Sequence, residues 1–98
     1  MGRDETIQAL RRLAPVLAAR GVEHLYLFGS VARNRAGEAS DVDLAFDVAP
    51  DTVFDAFDMG GVVMDLMGAL GQRVDLVERR SMSPEFAARI APDIVRIF

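Results

Sequence analysis

Three aspartates and a glycine–serine turn are the residues of this sequence that could do chemistry. Gly29-Ser30 closes a short apolar run, Leu25-Tyr26-Leu27-Phe28, and ten residues separate Ser30 from Asp41-Val42-Asp43. A third acid, Asp75, stands between Val74 and Leu76. Side chains alternate faces along a strand. Asp41, Asp43, Ala45 and Asp47 therefore share one face of the second strand, and Val42, Leu44, Phe46 and Val48 share the other. Two carboxylates so close repel each other, so something positive must lie between them if both stay ionised in a partly covered site. Neither Lys nor Arg sits in that strand. A hard divalent cation such as Mg2+ meets the need, because it takes oxygen ligands from one or two carboxylates and from substrate phosphates. Gly29-Ser30 supplies the complementary half. A strand that runs through Gly-Ser into a helix presents free backbone N–H groups at a positive helix end, which is an anion site. Glycine lets a phosphate approach the backbone and the serine hydroxyl adds a donor. Arg33, one turn later, can reach the same anion. If the strand carrying Asp75 lies beside the second strand in suitable register, Asp75 joins Asp41 and Asp43. Three acids, metal and phosphate then make a phosphoryl or nucleotidyl transfer site, with two metals clamping the attacking and leaving oxygens.

The elements that must position these groups alternate. Ile7, Leu10, Leu13, Ala14 and Leu17 recur at helical spacing over 4–20, with acids in the first turn and Gly21 as a C-terminal cap. Pro15 should kink or split this helix, since it removes a hydrogen bond. Val22–Phe28 reads as a strand, Ser30–Arg33 as the start of a short helix, 34–40 as a polar loop and Val42–Val48 as the second strand. Residues 51–70 read as a long helix with Asp51 as N-cap. Val53, Phe54, Phe57, Met64 and Met67 mark one of its faces, and Val62, Val63, Leu66 and Leu70 make a second apolar stripe beside the first. Burial in a small core is the plain expectation for the nearly uncharged segment 59–70. A surface for self-association or for a partner is the sharper one, with Leu66 as its probe. Arg73–Val77 is the third strand. Ser83-Pro84 opens a last helix as cap and first helical residue, Pro92 stops it, and Ile94–Phe98 is a final strand. The order α-β-α-β-α-β-α-β predicts an α/β (α+β) fold, a single mixed sheet of about four strands covered by helices.

At 98 residues the chain is expected to form one domain, 1–98. It has no cysteine, so it has no disulfide, thiolate ligand or cysteine nucleophile, which fits a reducing compartment. A net charge of −4 gives no general attraction to nucleic acid. Without a secretion signal or a run long enough for a membrane span, a cytoplasmic protein with no membrane partner is expected.

The stretch GSVARNRAGEASDVDL resembles the Gly-Ser, ten-residue, Asp-x-Asp signature of the DNA polymerase beta-like nucleotidyltransferases. With the later VDLV strand and the small size, the chain is similar to their minimal nucleotidyltransferase (MNT) group over nearly its whole length. The resemblance implies that Gly29 and Ser30 bind nucleotide phosphates, that Asp41 and Asp43 bind Mg2+, and that Asp75 is the third metal-binding and catalytic acid. Arg33 and Ser40 join the nucleotide-binding set, Ser40 having a loop cap as its other reading. It further implies an antitoxin that pairs with a HEPN-domain RNase toxin and transfers AMP from ATP to a tyrosine of that partner. The alternatives are a non-catalytic toxin-binding module of the same fold, or a nucleotidyltransferase acting on a small molecule or RNA. Asn34 stands where the family's motif often has glycine, and Asn tolerates the left-handed conformation a turn there needs. Asp47 is expected to be a surface charge, Arg35 a solvated one, His24 a residue without a catalytic partner, and Tyr26 a packed strand residue.

Overall fold

A computed structural model describes residues 2–35 and 41–98. Ser40 lies outside the described residues. The chain runs α1 (Arg3–Arg12), α2 (Ala14–Ala19), β1 (Val22–Phe28), α3 (Gly29–Ala32), β2 (Val42–Val48), α4 (Ala56–Leu70), β3 (Val74–Glu78), a 3-10 turn (Arg79–Ser81), α5 (Pro84–Ile90) and β4 (Val95–Arg96). Pro15 does split the first helix. The break falls at Leu13, which places the proline in the first turn of α2, where a missing N–H costs little.

The four strands form one mixed sheet in the order β3-β2-β1-β4. β1 is antiparallel to both β2 and β4, and β3 is parallel to β2. Leu27 pairs with Leu44 and Leu44 with Leu76, so apolar side chains line up across one face. Against it pack Ile7 and Leu10 of α1, Leu17 of α2, and Val62, Leu66 and Leu70 of α4, which together form the core. The opposite face carries Tyr26, Phe28, Asp43, Ala45, Asp47, Asp75 and Val77. Of the helices, α5 lies on this side, where Phe86 meets Phe28 edge-on at 5.7 Å.

Two expectations for the long helix need correction. Asp51 is not its N-cap: it sits in a left-handed turn at φ 58°, and of residues 51–55 only Phe54 turns inward. It packs on Phe46 at 5.2 Å. The cap is Asp55, which exchanges side-chain and backbone hydrogen bonds with Asp58 in a capping box. Nor do the two apolar stripes lie side by side in the core. Val62, Leu66 and Leu70 are buried, whereas Phe57 is 91% and Met64 75% exposed, with Val53 and Met67 also open to solvent. With 100° between successive residues, the stripes sit on opposite sides of α4. The exposed positions of this helix are Ala56, Phe57, Gly60, Met64, Met67, Gly68 and Ala69, and none has a polar side-chain atom.

Candidate active site

Antiparallel pairing of β1 and β2 brings the end of one strand to the start of the other. Phe28 pairs with Asp43, so Gly29 emerges directly over the Asp43 carboxylate. Parallel pairing of β2 and β3 sets Asp43 opposite Asp75, on strands about 4.8 Å apart. The two acids share a face, as the alternation predicts. Asp41 precedes β2 by one residue and lies at the same end of the sheet.

Gly29 is required here for two reasons. Its φ is +77°, and a Cβ at this position would run into the Oδ2 of Asp43 and lie 3.0 Å from its Cγ. Any side chain would therefore push the carboxylate aside. The turn continues as α3, whose first N–H groups lack intrahelical acceptors. Arg33 and Asn34 donate backbone hydrogen bonds to the Gly29 and Val31 carbonyls at 3.1 and 3.0 Å, closing the turn. Asn34 has φ 57°, so it does adopt the left-handed conformation that glycine would.

The charges press on one another. Burial pushes the Asp43 carboxyl above the ordinary aspartate range, Asp75 and Asp41 push it further, and Arg33 pulls it back. Asp41 is held by Arg73, Nε to Oδ1 at 3.4 Å. Arg33 reaches Asp93, which follows α5, at 3.5 Å. Positive charge thus borders the acids from Arg33 and Arg73, outside β2 itself. Among the described residues, no three acids or histidines already converge as a metal cage. The donor set still fits a hard cation. It is all carboxylate oxygen, Asp43 is repelled by two other acids, and Arg73 is exposed enough to release Asp41 to a stronger positive charge.

Asp47 is not the surface charge expected of it. It is 1% exposed and lies two residues beyond Ala45, as Arg79 lies two beyond Val77 in the same parallel register. Arg79 donates Nε and Nη2 to its two oxygens at 2.8 and 3.0 Å, and the Tyr26 hydroxyl donates at 3.0 Å. The guanidinium also lies over the Tyr26 ring, 5.1 Å from its centroid. Burial alone would raise the Asp47 carboxyl, but these hydrogen bonds outweigh it and hold the group below its usual range. The pair fastens the β3–α5 connection to the sheet and so sets α5 beside Phe28. The signal was present: a buried acid on this face needs a cation, and the next β3 residue in register is an arginine. A cleft of about 630 Å3 runs along β3 and α5, lined among others by Met59, Leu76, Val77, Met82, Phe86 and Arg89 but by none of the three acids. His24 has its Nδ1 buried without a hydrogen-bond partner among the described residues and touches none of the three acids. Arg35 is exposed.

The fold agrees with what the chain resembles. Residues 12–98 match the family model "Polymerase beta, Nucleotidyltransferase", and the chain belongs to that family. Within it, the chain is a minimal nucleotidyltransferase domain. It is 30% identical over 87 residues to the "Putative protein adenylyltransferase MJ0435" of Methanocaldococcus jannaschii, covering 89% of this chain and 91% of that one. A solved "putative minimal nucleotidyltransferase" superposes with a TM-score of 0.79 at 31% identity, over 97% of this chain and 95% of the other. A toxin–antitoxin structure with AMP-PNP matches at TM-score 0.68 and 28% identity, over 100% of this chain and 73% of its own. A third, a tri-AMPylated Shewanella oneidensis HEPN toxin in complex with its MNT antitoxin, shares the fold at TM-score 0.67 and 24% identity, over 98% and 71%. No helix of the described residues is long and apolar enough to cross a membrane.

Proposed function

We propose that this domain transfers AMP from ATP to a tyrosine hydroxyl of a HEPN-type toxin and acts as its antitoxin in the cytoplasm. The observation that carries the reading is the pairing of Asp43 with Asp75 beneath the Gly29 turn. It brings the Gly29 turn and the two acids together on three adjacent strands. The adenylyltransferase name of the archaeal relative and the AMP-PNP bound to a related toxin–antitoxin pair support the nucleotide and the setting.

Gly29, Ser30 and the turn's N–H groups would hold the triphosphate, with Arg33 leaving Asp93 for it. Ser40 is proposed for the same role. Asp41, Asp43 and Asp75 would hold Mg2+, two ions in the full site. Bound there, the metal supplies neutralisation of phosphate charge and activation of the attacking oxygen. The acceptor oxygen forms a bond to the α-phosphorus, the bond from that phosphorus to the α–β bridging oxygen breaks, and pyrophosphate leaves. Asp75, at the solvent side of the pair, takes the hydroxyl proton. The cleft along β3 is the side from which the acceptor would come. Positioning and charge neutralisation do most of the work in such a reaction.

One observation favours a second reading, neutralisation by occlusion alone: Asp41 is tied to Arg73 rather than to the other acids. The unfavourable setting of Asp43 speaks for catalysis, since an acid repelled by its neighbours is a cost that a bound cation removes. Transfer to RNA gains nothing from a net charge of −4, which gives no general attraction to nucleic acid. The deciding experiment incubates the protein with ATP, Mg2+ and the toxin encoded beside it, then measures intact mass. An AMP adduct on the toxin that disappears with Asp43→Asn supports transfer. Neutralisation that survives Asp43→Asn without any adduct rejects it in favour of occlusion.

A further inference from the structure

The outward face of α4 is built unlike a solvated helix surface. A helix on the surface of a soluble domain carries polar residues opposite its core stripe. Here the exposed positions opposite Val62 and Leu66 are all apolar or glycine, in a chain of net charge −4. Of the two acids flanking that face, Asp65 is matched by Arg20 and Asp58 is used in the cap. Gly60 and Gly68 weaken an exposed helix by about 1 kcal/mol each relative to alanine. Nothing among the described residues explains them, because a Cβ at either would meet no described atom within 4 Å. The face is therefore open space flanked by large side chains.

We infer that this face is the interface with a second copy of the chain, α4 packing antiparallel on α4 about a two-fold axis at the level of Val62. Such an interface is isologous, so the patch must complement itself. This one does. The axis sets Met64 of each copy into the gap left by Gly60 of the other, and Phe57 against Met67, a favourable sulfur–aromatic contact. The area is sufficient. Phe57, Met64 and Met67 alone expose roughly 400 Å2, and with Ala56, Gly60, Gly68 and Ala69 along a helix about 22 Å long the patch approaches the ~800 Å2 per partner of a standard interface. The charge pattern admits a like partner, since two acidic copies can meet where neither presents unmatched charge.

The full chain is examined by sedimentation velocity over about 5–200 µM, the range for a micromolar interface. The expected mass is that of two 10.7 kDa chains. Phe57→Glu with Met64→Glu should give the monomer mass across the range with an unaltered far-ultraviolet circular dichroism spectrum, both side chains being exposed. The chain has no cysteine, so register can be read by cross-linking. Gly60→Cys with Met64→Cys should oxidise to a covalent dimer, and Phe57→Cys alone should not. A monomer at every concentration overturns the inference, as does a dimer that persists in the double glutamate variant. A monomer whose α4 face is needed only to bind the toxin overturns it too, assigning the face to that partner.

Discussion

Gly29→Ala isolates the feature on which the site depends. The substitution adds one methyl group and changes no charge. It forces alanine to φ +77°, at a cost of roughly 1–2 kcal/mol in backbone strain. It also puts the new Cβ into the Asp43 carboxylate, with even the Cγ only 3.0 Å away. Asp43 is fixed in β2 between Phe28 and Asp75, so relief comes from turning its carboxylate or moving the turn by about 1 Å, and a displacement of that size can cost a hundredfold in rate. The variant should therefore fold, melt about 5–15 °C lower, and transfer AMP at least about a hundredfold more slowly. The assay pairs a thermal melt with initial rates of adduct formation from labelled ATP. A variant that transfers within about threefold of the parent rate would refute the argument that Gly29 is there to admit Asp43 and a phosphate together.

The other predictions concern charge. Asp43→Asn removes a carboxylate that burial, Asp75 and Asp41 all disfavour, so in metal-free buffer at neutral pH its melting temperature should equal or exceed the parent's while transfer is lost. A clear drop in stability would contradict that electrostatic reading. Arg79→Ala leaves Asp47 buried with only Tyr26 donating, and should cost about 2–3 kcal/mol at pH 7, reduced from the full buried-pair value because Arg79 is half exposed. The lowered Asp47 carboxyl gives the parent stability that is fully present above the unfolded aspartate value near 4 and lost as pH falls through the folded one. The deficit of Arg79→Ala in urea unfolding should therefore shrink in acid, and a deficit constant from pH 7 to about pH 3 would count against this pairing. Asp93→Ala frees Arg33 from a surface pair and should tighten AMP-PNP binding by up to about fivefold, the range of an exposed ion pair. Weaker binding by calorimetry would remove Arg33 from the nucleotide set.

Much of this molecule follows from local sequence. Val22–Phe28 and Val42–Val48 have the strand bounds that alternation and the Gly29 and Pro50 breaks dictate, the split at Pro15 follows from a missing N–H, and Ser83-Pro84 begins α5 because both residues suit a helix start. The glycine–serine turn and the acid pair were legible for the same reason, being features of one strand–turn–strand stretch whose chemistry depends on spacing alone. Other features depended on which segments meet. Asp51 and Asp55 are both cap residues by type, and the capping box with Asp58 together with the packing of Phe54 on Phe46 chose Asp55. Two apolar stripes on α4 look alike in one dimension, and only the sheet decides that Leu66 is core while Phe57 is surface. Asp47 and Asp43 are both strand acids, yet one is neutralised by an arginine thirty-two residues away and the other faces two more acids. A sequence determines which face a side chain takes, because that is a property of its own backbone. Whether the face is covered, and by what charge, depends on the parallel register of β2 with β3, which is set by the summed burial of every core residue at once.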